Sequence, residues 1–177
     1  MPSAAAGSII FAAMSKPLLR APASVWRNPV HWLAFGCGAG AAPVAPGTFG
    51  TFLAVPVYVL LGGWPLSVYL FVTAAMLALG VWLCGRTARD LGVHDHPGIV
   101  WDEVVGFLIT MIGAPQGWVW VVMGFVAFRV FDIFKPWPIR WLDRHMPGGM
   151  GIMADDVLAG IYAATVLQVM VYWLDRT

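Results

Sequence analysis

An all-α membrane bundle of about five apolar helices is the fold class the sequence predicts, and three observations predict it. The 177-residue chain is 60% hydrophobic with 11% charged residues, whereas soluble domains carry about 25% charged residues. Its charges fall in a few clusters separated by long stretches that hold none. Gly/Pro punctuation cuts those stretches into pieces of helix length. A chain this short makes one domain, which leaves no room for a soluble catalytic unit beside a separate anchor. Function must then lie within the helices or at their rim. The net charge of +1 gives no field that would gather nucleic acid, and ten Trp spread along the chain fit aromatic rings at lipid–water boundaries.

Met1 to Arg27 reads as a basic, loosely ordered lead segment on the cytoplasmic side, because its apolar run Ile9–Met14 precedes Lys16, Arg20 and Arg27, the reverse of a secretory signal. The membrane domain is expected over residues 28–177. Between Arg27 and Arg86 no residue is charged, and Gly62-Gly63-Trp64-Pro65 divides the stretch into Thr48–Leu61 and Leu66–Gly85. The first is short for a full crossing. A second uncharged block, Val104–Phe128, is broken by Gly113-Ala114-Pro115-Gln116-Gly117 and predicts a second hairpin. Val157–Leu174 predicts the last crossing. Cys37 and Cys84 lack metal or disulfide spacing and are expected as small buried fillers.

Each hairpin returns the chain to its starting side, so the lead segment, Arg86–Glu103 and Arg129–Asp156 share one face. The basic residues, Arg86, Arg89, Arg129, Lys135, Arg140 and Arg144 among them, make that face cytoplasmic. Topology accounts for the bases. It accounts less well for the acids, which contribute little to orientation, yet eight of nine crowd onto the same face.

Two acidic doublets follow one plan. Pro97-Gly98-Ile99-Val100-Trp101-Asp102-Glu103 runs into an apolar helix with Gly106 a turn on, and Gly148 to Asp156 ends in Asp155-Asp156 with Gly160 four residues later. Carboxylates in a first turn cap the helix dipole, but doublets beside a glycine, where a neighbour can approach closely, exceed what a cap needs. Asp102, Glu103, Asp155 and Asp156 are the expected metal ligands. Hard cations such as Mg²⁺ take oxygen ligands, and four carboxylates brought together without a cation would repel one another.

Arg129, Asp132 and Lys135, spaced by three, predict one helix face ending at Pro136. As structure this is an ion-pair ladder; as chemistry it is an anion clamp, with Asp132 orienting it or assisting proton transfer. Arginine and lysine beside an acidic metal site suit a phosphate group. Asp143 and Arg144 either join the pocket or pair on a solvated loop. In Pro43 to Gly50, Thr48 is expected as an N-cap whose hydroxyl and neighbouring N–H groups offer a further anion site. His94 and His96 flank Asp95 in a loop, with proton donation open to either. The chain has no GxxxxGK[ST] loop, GxSxG elbow, Cys-x5-Arg or DxD strand motif, which leaves metal-activated water as the economical nucleophile.

Four blocks in order carry a family resemblance: GCGAGAAPVAPGTFGT at Gly36–Thr51, VHDHPGIVWDEVVG at Val93–Gly106, FRVFDIFKPWPIRWLDR at Phe128–Arg144, and GGMGIMADDVLAG at Gly148–Gly160. They resemble phosphatidylglycerophosphatase A across Asn28–Leu174. The resemblance implies a Mg²⁺-dependent phosphomonoesterase of the bacterial inner membrane, which removes the terminal phosphate of phosphatidylglycerol phosphate during phospholipid biosynthesis. It carries the family's acidic positions onto Asp102, Glu103, Asp132, Asp155 and Asp156, and its basic positions onto Arg129 and Lys135. On the physical reading above, the expected active site has Asp102, Asp132 and Asp156 as catalytic acids and Arg129, Lys135 and Thr48 as phosphate binders. A homo-oligomer is compatible with this reading. The alternative is a small ion or proton transporter using membrane-edge carboxylates, which predicts acids distributed through the depth of the helices. A structural subunit would leave the doublets without a task.

Overall fold

The computed structural model describes residues 21–174 and 176, without the side chains of Asp143 and Arg144, so most of the lead segment and the role of those two side chains lie outside the described residues. The described part is all-helical. Its α-helices are α1 (Pro29–Ala34), α2 (Pro46–Leu61), α3 (Leu66–Leu91), α4 (Trp101–Thr110), α5 (Trp118–Phe134), α6 (Ile139–His145) and α7 (Gly148–Leu174), with short 3-10 turns at Ala23–Trp26 and Gly36–Ala41. The end of the expected lead segment is packed: Val25 is fully buried in one core cluster with Phe35 and Cys84. Ser24 Oγ lies 3.0 Å from His31 Nδ1, and His31 Nε2 lies 3.2 Å from Asp90 Oδ2, which ties the turn and α1 to α3.

Helix α7 is the centre of the bundle and packs against α3, α4, α5 and α6. α4 is wedged among α2, α3 and α7, and neighbours in sequence are not the principal packing partners. Two helices, α3 and α7, are long and apolar enough to cross a membrane; at 1.5 Å per residue each reaches about 40 Å. α2 reaches about 24 Å and α4 about 15 Å by the same rise, both short of a hydrocarbon core of about 30 Å. Large apolar side chains such as Leu60, Phe71, Trp118, Val119 and Ile133 point outward, forming a surface that lipid covers more favourably than water.

Several boundaries differ from the sequence expectation, each for a physical reason. α2 begins at Pro46, two residues before Thr48, because proline's fixed φ suits the first helical position and Ala45 in the left-handed region (φ 48°) provides the entry. Thr48 is therefore inside the first turn and is not the N-cap. α3 continues past Gly85 to Leu91, where Arg89 complements the helix C-terminus and Gly92 (φ 67°) closes it. α7 begins at Gly148, so Asp155 and Asp156 stand two turns inside the helix and its first turn holds no acid. Gly149 and Gly151 lie inside this helix because packing needs them. A Cβ on Gly149 would strike the Val81 carbonyl and the Gly85 backbone, and one on Gly151 would strike the Met146 carbonyl. Cys84 is buried as expected, but Cys37 is exposed, turned out by a 3-10 turn in which it adopts φ 54°.

The short α4 ends inside the bundle with its last carbonyls satisfied from neighbouring elements. Tyr69 Oη donates to the Leu108 carbonyl (2.6 Å), and Gln168 Nε2 donates to the Ile112 carbonyl (3.0 Å). Gln116 Nε2 donates to the Gly62 carbonyl (2.6 Å), so the two uncharged glycine-containing connections meet at this same end. The ionisable groups gather at the other end, at the starts of α4 and α7 and the last turns of α5.

Candidate active site

The site begins with how α4 starts. Val100 N–H donates to the Ala34 carbonyl (2.9 Å), and Trp101 Nε1 donates to the Met76 carbonyl of α3 (3.0 Å). The indole lies where a Cβ on Gly80 would sit. This anchorage delivers Asp102 and Glu103, in the first turn of α4, toward α7. Glycines allow the helices to close: a Cβ on Gly160 would meet the Gly106 carbonyl at 2.5 Å, and one on Gly106 would meet the Phe128 ring and the Asp156 carbonyl. The close approach expected at Gly106 and Gly160 is thus the α4–α7 crossing itself, one turn from the acids.

Asp102, Glu103 and Asp156 are brought together. Each offers a carboxylate oxygen, and these oxygens all lie within 4.8 Å of one another. Asp102 and Asp156 are buried, and Glu103 Oε2 and Asp156 Oδ1 are buried without a hydrogen-bond partner. Asp132, from α5, lies close enough to Asp156 for the two carboxylates to repel each other. Carboxylates packed this closely away from water need positive charge, because leaving buried acceptors unmatched is costly. Hard oxygen donors with unfilled coordination fit a divalent cation such as Mg²⁺.

Asp155, the fourth expected ligand, is engaged differently: its Oδ2 accepts from Lys135 Nζ at 2.5 Å. Lys135 does not continue the Arg129–Asp132 face. It caps α5 in the left-handed region (φ 42°), since Pro136 disfavours the helical conformation at the residue before it. A non-glycine residue held there is strained, and the conformation places its ammonium on α7. Arg129 pairs with Asp132 at 2.5 Å in the half-buried space between α5 and the start of α2. The approach is ionic and poorly aligned for a hydrogen bond, so Arg129 Nε and Nη1 remain buried donors without a hydrogen-bond acceptor. Orphaned donors of this kind suit the oxygens of an anion.

Sequence reasoning missed Gly47. A Cβ there would collide with Glu103 Oε1 and lie 3.1 Å from Arg129 Nη1, so the first turn of α2 closes one side of the site. A glycine in a first turn directly after proline, against helix propensity, was the available signal. Thr48, the next residue, is half-buried, with its N–H donating to the Ala45 carbonyl (3.0 Å). Gly47→Ala is expected to lower kcat by about 10²-fold, the scale of a small displacement of reacting groups, while the helical content by circular dichroism stays unchanged. Full turnover would show that this backbone approach is not needed.

The loop histidines fall outside the acid cluster. His94 is exposed. His96 is buried, its Nδ1 accepts the Gly98 N–H (3.0 Å) and its ring faces Phe35. Burial holds this imidazole below its ordinary pKa, so it stays neutral and shapes the loop that leads into α4.

This end of the bundle gathers acids that could hold a cation beside basic side chains that could meet an anion's oxygens. The class so defined is a helical, apolar-surfaced phosphatase. The family model for phosphatidylglycerophosphatase A matches residues 32–171. The phosphatidylglycerophosphatase A of Escherichia coli (strain K12) is 50% identical over 141 residues, covering 79% of this chain and 82% of the relative. That of Haemophilus influenzae is 47% identical over 152 residues, covering 83% and 91%. The chain belongs to the phosphatidylglycerophosphatase A family, whose members named here are phosphatases. No solved structure matches it.

Proposed function

We propose that this protein is a Mg²⁺-dependent phosphatase that hydrolyses phosphatidylglycerol phosphate to phosphatidylglycerol and inorganic phosphate in phospholipid biosynthesis. The observation that carries the reading is the trio Asp102, Glu103 and Asp156, in which Glu103 Oε2 and Asp156 Oδ1 have no hydrogen-bond partner, with Arg129 beside Glu103 at Gly47. These three acids would hold the ion, with Asp155 beside them stationing Lys135. Mg²⁺ bound there would supply positive charge to the phosphoryl oxygens and lower the pKa of an attacking water. Arg129 Nε and Nη1 bind phosphoryl oxygens, and Lys135 supplies a second cation as the ester oxygen leaves. Thr48 adds a hydroxyl donor at the rim. Asp132 orients Arg129 and would accept a proton beside Asp156.

The lipid keeps its acyl chains in the bilayer while its head group meets the charged end of the bundle. The family and the two membrane-capable helices support a bacterial inner-membrane, multi-pass protein, and the basic residues at the charged end support a cytoplasmic site. The test is phosphate release by purified full-length protein from phosphatidylglycerol phosphate in detergent micelles. Release is expected to stop in EDTA and return with Mg²⁺. Undiminished turnover in chelator would overturn the cation assignment, and no release with any divalent ion would overturn the substrate.

A further inference from the structure

Beside the acid cluster, where α5 ends and α6 begins, lies a groove of about 380 Å³ that the proposed chemistry does not use. Phe134, Lys135, Trp137, Arg140, Trp141 and His145 line it. Two of these are cations, and none is a carboxylate. Arg140 Nη2 donates to the Phe134 carbonyl (3.3 Å), which fixes the guanidinium across the groove while using one of its five N–H donors. Trp141 stacks on His145 with ring centroids 4.8 Å apart and an interplanar angle of 21°, forming a stiff wall. Trp137 is 82% exposed and Trp141 54% exposed, the state of indoles that sit at a lipid–water boundary with their bodies in apolar material and their N–H groups wet.

The opposite side of α6 supports that placement. Leu142 and Met146 close a wholly different cavity of about 510 Å³, walled by Leu77 and Val81 of α3 and Met153 of α7. One short helix therefore separates a cationic, aromatic groove from an apolar one, as a helix does where head groups meet hydrocarbon. Lys135 belongs to both the groove and the catalytic end, since its ammonium reaches Asp155, the chain neighbour of Asp156. A ligand that extends from the acid cluster past Lys135 to Arg140 needs two anionic centres a few bonds apart. A single phosphate does not supply them; a lipid bearing a terminal monoester and an internal diester does.

We infer that this groove is a subsite for the phosphodiester of the substrate's head group, with Arg140 as its anion-binding residue and Trp137 and Trp141 as its walls. The inference rests on the phosphatase reading above. It makes Arg140 a specificity-determining residue that distinguishes a lipid with a glycerol-linked second phosphate from one that ends at its first.

The test separates binding from turnover. Glycerophosphoglycerol, the diester head group without acyl chains, is titrated calorimetrically into the purified full-length protein and into Arg140→Gln. Saturable binding is expected in the first and at least about tenfold weaker binding in the second, the scale of a lost charge-assisted pair. Arg140→Lys keeps the charge and the stem but not the planar fork, and should fall between them. With phosphatidylglycerol phosphate, Arg140→Gln should raise KM about tenfold and change kcat little, the signature of lost ground-state binding. Equal diester binding in the parent and Arg140→Gln, no binding in the parent, or a loss confined to kcat would overturn the subsite. Diester binding that depends on Arg140, in a protein that releases no phosphate, would instead overturn the phosphatase reading and leave the subsite standing.

Discussion

Asp156→Asn should cut phosphate release by about 10²–10³-fold, the scale of losing one pre-organised charge at a reacting centre, and should do so without unfolding the protein. Asn keeps the shape of the carboxylate, whereas it removes one charge from the packed group of Asp102, Glu103 and Asp156. Because that group is buried and mutually repulsive, losing a charge should leave thermal stability in EDTA equal to or above that of the parent. Mg²⁺ should raise the unfolding temperature of the parent by mass action, and Asp156→Asn should lose that increment. The combination is diagnostic: a residue that only supports the fold would lose activity and stability together. Parent-like turnover in Asp156→Asn would remove it from the ion-binding set.

Gly160→Val is expected to give the largest structural effect. A Cβ at this position already meets the Gly106 carbonyl at 2.5 Å and Ile109 side-chain atoms at 3.2 Å, and valine adds two further methyls. Neither backbone can yield, since Gly106 is itself pressed by the Phe128 ring and the Asp156 carbonyl. Overpacking of this kind costs about 1–3 kcal/mol or more, corresponding to about 2–4 °C of unfolding temperature per kcal/mol for a chain of this size. Activity should fall further than stability alone explains, because forcing α4 and α7 apart also separates Asp102 and Glu103 from Asp156. Thermal denaturation and phosphate release measured on the same preparation would reveal this; a stable, fully active Gly160→Val would mean that the crossing is looser than the glycine contacts require.

The helical class, the punctuation at Gly62–Pro65 and Gly113–Gly117, and the grouping of ionisable residues were legible because composition and turn residues act locally. The doublets stood out as a candidate site for the same reason that makes them costly: paired acids in an apolar chain have few structural uses. What was not legible came from long-range contact. Glycines at 149 and 151 disfavour helix by propensity, yet close packing against Val81, Gly85 and Met146 makes them part of the first turn of α7, so the second doublet stands within a helix. Helical spacing placed Lys135 with Arg129 and Asp132, and proline's effect on the preceding residue sent it instead to Asp155. Gly47 carried no chemistry of its own, so only its proximity to Glu103 and Arg129 reveals what it does. Which acids converge is a fact of tertiary packing; the sequence offered four candidates, and the packing gathers three of them together with Asp132.

The ten-residue α4 has a consequence for what the bundle can conduct. It carries the acids at its start and ends about 15 Å further on, where Tyr69 and Gln168 tie off nearby carbonyls and Gln116 laces the two connections together. A pump or channel built on carboxylates needs an entrance on each side and polar steps between them. Here α4 carries no carboxylate beyond its first turn, and Phe107, Leu108 and Met111 are buried further along, so the acids form a cluster at one end and not a ladder along the helix.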